Sequence, residues 1–208
     1  MSDCQCEKLE TRGLAVKERR ILIAVLAINV ATFLMMVAAS ALSGSSSLLS
    51  GTLDNFGDAV TYALSLAVVG SSLTAKARVA LVKGFLIGGA AFAVALRIIW
   101  SLANPEIPVV ETMGAAAILN LAANAVCLWL ITPYRHGDVN MASAWECSRN
   151  DIYEGCAVIL ATVAVWLVGS GWPDLLVAAI LLALFTRSAS RVIRSAWRQM
   201  QDGGLASA

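Results

Sequence analysis

The sequence predicts an all-α membrane protein that forms a bundle of six transmembrane helices. Of the 208 residues, 59% are hydrophobic and 14% are charged, and the mean hydropathy is +0.75. This composition is typical of a polytopic membrane protein. Three uncharged apolar runs are long enough to cross a hydrocarbon core of about 30 Å at about 1.5 Å per residue. They are Ile21–Leu42, Thr112–Tyr134 and Gly155–Pro173.

Charged residues interrupt three further apolar runs, around Ser45–Leu73, Arg78–Leu102 and Trp172–Arg194. Because ionisable groups inside a membrane are costly and mark functional sites, we expect function in these spans. The predicted organisation is a cytoplasmic tail over residues 1–20, a six-helix transmembrane domain over 21–200 and a short tail over 201–208.

The distribution of basic residues predicts the orientation of the chain. The loops Ser43–Ser47, Ala103–Glu111 and Ser170–Asp174 contain no Lys or Arg. By the positive-inside rule, both termini are cytoplasmic in a multi-pass protein of the cell inner membrane. The basic residues form no single patch, so no nucleic-acid partner is expected. Those that precede the first span, lie in the predicted cytoplasmic turns or end the last helix are Lys8, Arg12, Lys17, Arg19, Arg20, Lys76, Arg78, Lys83, Arg135, Arg187, Arg191, Arg194 and Arg198.

Two pairs of metal-ligating residues share one spacing. Asp54 and Asp58 lie one helical turn apart in "TLDNFGDAV", and Cys147 and Asp151 do so in "WECSRNDIYEG". The first pair lies about 16 Å from the outer end of its span, and the second about 12 Å from the cytoplasmic end of its span. On antiparallel helices both pairs reach the middle of the bilayer, where we expect them to meet.

Three acids at that depth require compensation, because an ionised carboxylate in mid-bilayer costs about 2.5–3.5 kcal/mol. A divalent cation would provide it, and three carboxylate oxygens with one thiolate form a four-coordinate set that suits zinc and its heavier relatives. Two alternatives remain open: the acids pair with Arg149 or Arg97, or Cys147 is a small apolar filler. Arg149 points to another face of its helix, and Arg97 is expected to snorkel to the interface.

Other polar residues accompany these pairs. Glu154 shares a face with Asp151 one turn nearer the outside, which suggests a relay or alternate ligand, with helix packing as the alternative. Asn55 and Asn150 are candidates to donate hydrogen bonds to the ligands, or to satisfy neighbouring backbone groups. One face of the fourth span should pack against other helices or border a polar pathway, and it carries Asn120, Asn124 and Cys127.

The chain resembles the cation diffusion facilitator family of divalent-metal/proton antiporters over most of residues 20–200. The resemblance is carried by "SSSLLSGTLDNFGDAV", "NMASAWECSRNDIYEGCAVILATVAVWL" and "WPDLLVAAILLALFTRSASRVIRSAWRQM". It implies six helices, a homodimer, cytoplasmic termini and export by alternating access. The family's recurrent positions coincide with Asn140, Ala144 and Asp174, and its transport site with Asp54, Asp58, Cys147 and Asp151.

The chain departs from the family pattern in three ways. Zinc-transporting members usually carry histidine at the position of Cys147, a histidine-rich loop is replaced by "SSLTAKARVALVKG", and no large C-terminal domain lies within the 208 residues. Dimerisation is therefore expected through the membrane helices. A thiolate is softer than imidazole and adds a negative charge, which predicts a preference for zinc and cadmium, and also mercury or lead, over manganese and magnesium.

The functional prediction is efflux of divalent transition-metal cations from the cytoplasm by proton-coupled antiport. Without metal, the site cannot hold four negative charges at low dielectric, so protons and metal should exchange. The cargo is Zn²⁺ or Cd²⁺, no prosthetic group is expected, and the protein is not expected to be an enzyme. The alternatives are a membrane-embedded thiol enzyme that uses Cys147 as nucleophile, and a metal-sensing membrane protein that transports nothing.

Overall fold

The computed structural model describes the backbone of residues 3–67, 73–135 and 139–205. Its described side chains are those of residues 17–60, 62, 63, 66, 85, 86, 88–135, 145, 147–187, 190, 193 and 194. Several residues of the sequence prediction lie outside the described side chains, namely Lys8, Arg12, Lys76, Arg78, Lys83, Asn140, Ala144, Arg191 and Arg198.

Over the described residues the chain forms six α-helices and no strand, as predicted. A single 3₁₀ turn, Thr132–Tyr134, follows the fourth helix. The first helix begins at Asp3, so the residues expected to form the N-terminal tail continue that helix. The helices are α1 (Asp3–Ser43), α2 (Ser46–Ala67), α3 (Leu73–Ala103), α4 (Val110–Ile131), α5 (Val139–Val168) and α6 (Trp172–Leu205).

Three connections lie together at one end of the bundle, residues 44–45, 104–109 and 169–171, which we call the turn end. The backbone N–H of Val109 donates to the carbonyl oxygen of Ser43 over 2.9 Å. A Cβ added to Gly171 would collide with the carbonyl oxygen of Glu106, so only glycine fits that contact. The opposite end of the bundle, from which α1 starts and at which α6 finishes, is called the terminal end.

Glycines in left-handed conformation end two helices at the turn end. Gly44 follows α1 with φ 71°, and Gly169 follows α5 with φ 63°. The apolar run Gly155–Pro173 was predicted to continue to Pro173. Helix α5, which contains most of this run, ends at Val168 because Gly169 leaves the helical conformation. Arg97 was expected to snorkel to the interface; its Nη2 donates to the carbonyl oxygen of Gly44, in the connection after α1 at the turn end, over 2.9 Å, which ties α3 to this turn.

Three helical segments are long and apolar enough to cross a membrane by length and composition among the described residues. Lys17–Ser43, Val110–Tyr134 and Cys147–Val168 overlap the three uninterrupted runs of the sequence. The outer surface of the bundle is also apolar, as in proteins that face lipid. It carries exposed side chains such as Leu34, Phe92, Trp129, Leu160 and Trp166.

Three apolar clusters fill the interior. The turn-end cluster joins α1, α2, α4, α5 and α6 through Met36, Leu48, Met113, Ala117, Val158 and Leu181. A second cluster joins α2, α3 and α6 around Leu53, Val94 and Ala178. The terminal-end cluster joins α1, α2 and α4 through Val25, Tyr62, Cys127 and Ile131. The polar centre of the molecule lies between the turn-end and terminal-end clusters.

Candidate metal site

Three of the four predicted ligands meet in the interior of the bundle. Asp54 and Asp58 of α2 and Asp151 of α5 each offer one carboxylate oxygen, and these oxygens lie within 4.8 Å of one another. Asp58 is 7% exposed and Asp151 is 3% exposed, whereas Asp54 is half-buried. The spacing of one helical turn places Asp54 and Asp58 on one face of α2, and the contact between α2 and α5 brings Asp151 next to them.

The carboxyl groups of Asp54 and Asp151 form a side-chain hydrogen bond. An ionised carboxylate only accepts hydrogen bonds, so this contact requires a proton on one of the two groups. A divalent cation bound by the same oxygens would also allow the two carboxylates to lie side by side. The arrangement can therefore hold either a shared proton or a metal ion.

Cys147, the fourth predicted ligand, is not in the three-carboxylate group. It is half-buried and lies one turn from Asp151 on α5, toward the terminal end. The two arginines considered as partners of the acids have other contacts. The exposed guanidinium of Arg149 lies 5.1 Å from the centre of the Trp145 ring, a cation–π contact, and Arg97 binds the turn after α1.

The structure places the three other polar candidates, Asn55, Asn150 and Glu154, in different surroundings. Asn55 is 1% exposed, and its Nδ2 donates to Oδ1 of Asn120 over 2.8 Å, so it links α2 to α4. Asn150 is exposed and is not brought to the site, because it lies about 100° around α5 from Asp151. Glu154 is half-buried, and its Oε2 is buried without a hydrogen-bond partner among the described residues.

A small cavity adjoins the aspartate cluster on the side of the turn end. It has room for about one water molecule. Its polar lining comes from three helices, which shows that the predicted face of α4 borders the same chamber as the acids. The lining residues are Met36, Gly51, Asp54, Ala117, Asn120, Asn124, Asp151, Glu154, Gly155 and Val158.

Asp174 holds the turn end of α2, a role that the sequence analysis missed. It is 1% exposed and lies in the first turn of α6. One carboxylate oxygen accepts hydrogen bonds from the hydroxyls of Ser45 and Ser47 over 2.6 Å each and from the backbone N–H of Ser47 over 3.1 Å, and the other accepts from the N–H of Ser46 over 2.7 Å. The charge also faces the positive end of the α2 dipole. The available signal was the run of serines at the start of α2, a helix that has no acid in its own first turn.

Tyr62 and Cys127, two members of the terminal-end cluster, lie next to the site. Tyr62 is 3% exposed, and its hydroxyl lies 3.5 Å from Oγ of Ser148. Cys127 is fully buried on α4. Both side chains belong to the terminal-end cluster, which therefore borders the polar centre.

A helical bundle with an apolar exterior and a buried cluster of carboxylates defines a membrane protein that handles cations inside the bilayer. The family model described as the cation efflux transmembrane domain matches residues 22–200. The chain therefore belongs to the cation efflux family, which confirms the resemblance seen in its motifs, and it is an integral membrane protein for transport of metal cations. Among curated proteins, no match to the chain was found.

Proposed function

We propose that this protein exports zinc or cadmium from the cytoplasm in exchange for protons. The observation that supports it best is the cluster of Asp54, Asp58 and Asp151, whose oxygens lie within 4.8 Å of one another inside the bundle. A divalent cation offsets the repulsion and desolvation of such a cluster. Membership of the cation efflux family supports transport of that cation rather than storage.

Cys147 is proposed as the fourth ligand. Its half-buried position one helical turn from Asp151 supports this role, although its sulfur lies outside the carboxylate group. Coordination would require rotation of the thiol side chain or a small movement of α5. A thiolate in the set favours zinc and cadmium, with mercury or lead as further cargo, over manganese and magnesium, which prefer oxygen ligands.

Proton exchange is proposed because metal and protons compete for the same oxygens. The hydrogen bond between Asp54 and Asp151 needs a proton that a bound metal ion would displace. Proton rebinding from the other side of the membrane would then weaken the site and help to release the metal. The two half-reactions together make an antiporter.

The proposed orientation has both termini in the cytoplasm of a cell with the protein in its inner membrane. The absence of Lys and Arg from the turn-end connections of the sequence supports this orientation. We also propose a homodimer in the lipid bilayer, as the family resemblance implies. Metal would then enter from the terminal end and leave at the turn end.

The assignment of the site is tested by metal flux in proteoliposomes. Asp58→Ala or Asp151→Ala should abolish uptake of zinc or cadmium, because each removes one of three clustered carboxylates. Glu111→Ala is the matched control, since Glu111 is an exposed acid in the first turn of α4. Unchanged flux in the Asp58 and Asp151 variants would contradict the site, and metal binding without flux in the wild type would indicate a sensor.

A further inference from the structure

The cavity beside the aspartate cluster contains oxygen atoms that the proposed site does not use. Asn124 is 1% exposed and lines the cavity, and its Oδ1 has no hydrogen-bond partner among the described residues. Oε2 of Glu154 is likewise buried and unpartnered, and Glu154 lines the same cavity. Buried acceptors without donors are unfavourable and in proteins are normally paired. A cation or a water molecule in the cavity would supply the partner that both oxygen atoms lack.

The Glu154 carboxylate lies to one side of the aspartate cluster. On α5, Glu154 is three residues, about 4.5 Å along the axis, from Asp151 toward the turn end, whereas Cys147 is four residues away in the opposite direction. The Cys147 thiol and the Glu154 carboxylate are thus on opposite sides of Asp151. Asn124 lines the same cavity from α4, and Asp54 and Asp151 belong to the cluster and also line the cavity.

We propose that Glu154 and Asn124, together with Asp54 and Asp151, form a second subsite for a divalent metal ion between the aspartate cluster and the turn end. This inference rests on the proposed function and deepens it, because the subsite would receive the ion as it leaves the central site. Its ligands are all oxygen atoms, so it lacks the thiolate that strengthens binding of zinc and cadmium. The two sites share carboxylates, so one ion occupies them in turn.

The first test measures binding with the central site disabled. In a purified full-length chain carrying Asp58→Asn and Cys147→Ala, cadmium binding by titration calorimetry should persist at reduced affinity, because the subsite retains its ligands. Adding Glu154→Gln should weaken that remaining binding about tenfold or more, the scale seen when groups that support a metal site are changed. Adding Asn124→Leu, which removes the oxygen and keeps similar volume, should weaken it in the same direction.

The control is Glu111→Gln in the same background, an exposed acid whose change should leave cadmium binding unaltered. Thermal unfolding of each variant shows that the chain remains folded. Cadmium binding that is equal with and without Glu154→Gln would overturn the subsite. Loss of all binding in the Asp58→Asn, Cys147→Ala background would overturn it as well.

The second test measures flux with the central site intact. Glu154→Gln alone should slow cadmium efflux about tenfold, with the affinity of the central site changed less than about twofold, because only the exit step is affected. Flux equal to that of the wild type would overturn the inference. A wild type that moves no metal would instead refute the proposed function, and the binding test would still decide whether the subsite exists.

Discussion

At the scale of single residues, the proposed ligand set contains one sulfur among several oxygens, and this sulfur is proposed to decide which metal is preferred. The three clustered aspartates provide charge, but carboxylates bind hard and borderline cations alike. Cys147 is the only one of the four proposed ligands with a soft donor atom. Selectivity should therefore change with this residue more than with any aspartate.

Cys147→His should lower the preference for cadmium relative to zinc. The imidazole remains a good zinc ligand but is harder than a thiolate and adds no negative charge. The measurement is the ratio of cadmium to zinc uptake in proteoliposomes, which should fall about tenfold or more if one ligand sets the affinity. Cys156→His provides a control, because Cys156 is exposed on the same helix. An unchanged ratio would show that the Cys147 sulfur does not bind the metal.

The sequence predicts the position of a single residue where helical periodicity alone determines that position. The spacing of Asp54 and Asp58, together with the depth of Asp151, was sufficient to predict that these side chains meet. Periodicity could not predict hydrogen-bond partners, so the pairing of Asn55 with Asn120 was not foreseen. Asn150, a candidate to donate to the ligands or to satisfy neighbouring backbone groups, is exposed, as expected for a residue about 100° around α5 from Asp151.

At the scale of elements, α2 carries two of the proposed ligands and is fixed at its turn end by α6. Four donors from residues 45–47 bind the Asp174 carboxylate. The Asn55–Asn120 hydrogen bond adds a link from α2 to α4. These contacts set the rotation and depth of α2, and with them the positions of Asp54 and Asp58.

Asp174→Ala should destabilise the protein and impair metal binding together. It leaves hydroxyl and backbone N–H donors at the start of α2 without their acceptor, and each buried donor left unsatisfied costs about 1–3 kcal/mol. Thermal unfolding in detergent and cadmium titration calorimetry measure the two effects. Glu106→Ala is a suitable control, because Glu106 is an exposed acid at the same end of the bundle. A variant with wild-type melting temperature and affinity would refute this role of Asp174.

Element boundaries and tertiary anchors were harder to predict than the helices themselves. The apolar run that includes Gly155–Val168 continues to Pro173 in composition, but the left-handed glycine at 169 ends the helix earlier. The contact between Asp174 and residues 45–47 spans more than a hundred positions of sequence. Hydropathy reports burial and length, and it carries no information about which distant helix end an acid will cap.

At the scale of the whole molecule, the polar centre lies between two apolar clusters. Met36, Leu48 and Met113 belong to the cluster on the turn-end side, and Tyr62 and Ile131 to the one on the terminal-end side. A hydrated cation does not cross such apolar packing, so an ion can reach or leave the centre only when helices move. This arrangement favours alternating access, in which one cluster opens at a time.

Proton-driven metal flux in proteoliposomes tests the central claim most directly. With cadmium or zinc on one side and an imposed proton gradient across the membrane, the wild-type chain should move metal against its own gradient, and each metal movement should carry protons in the opposite direction. Collapse of the proton gradient by an ionophore should stop the uphill movement. Uphill flux that persists without the proton gradient, or metal movement without proton counterflow, would contradict the account.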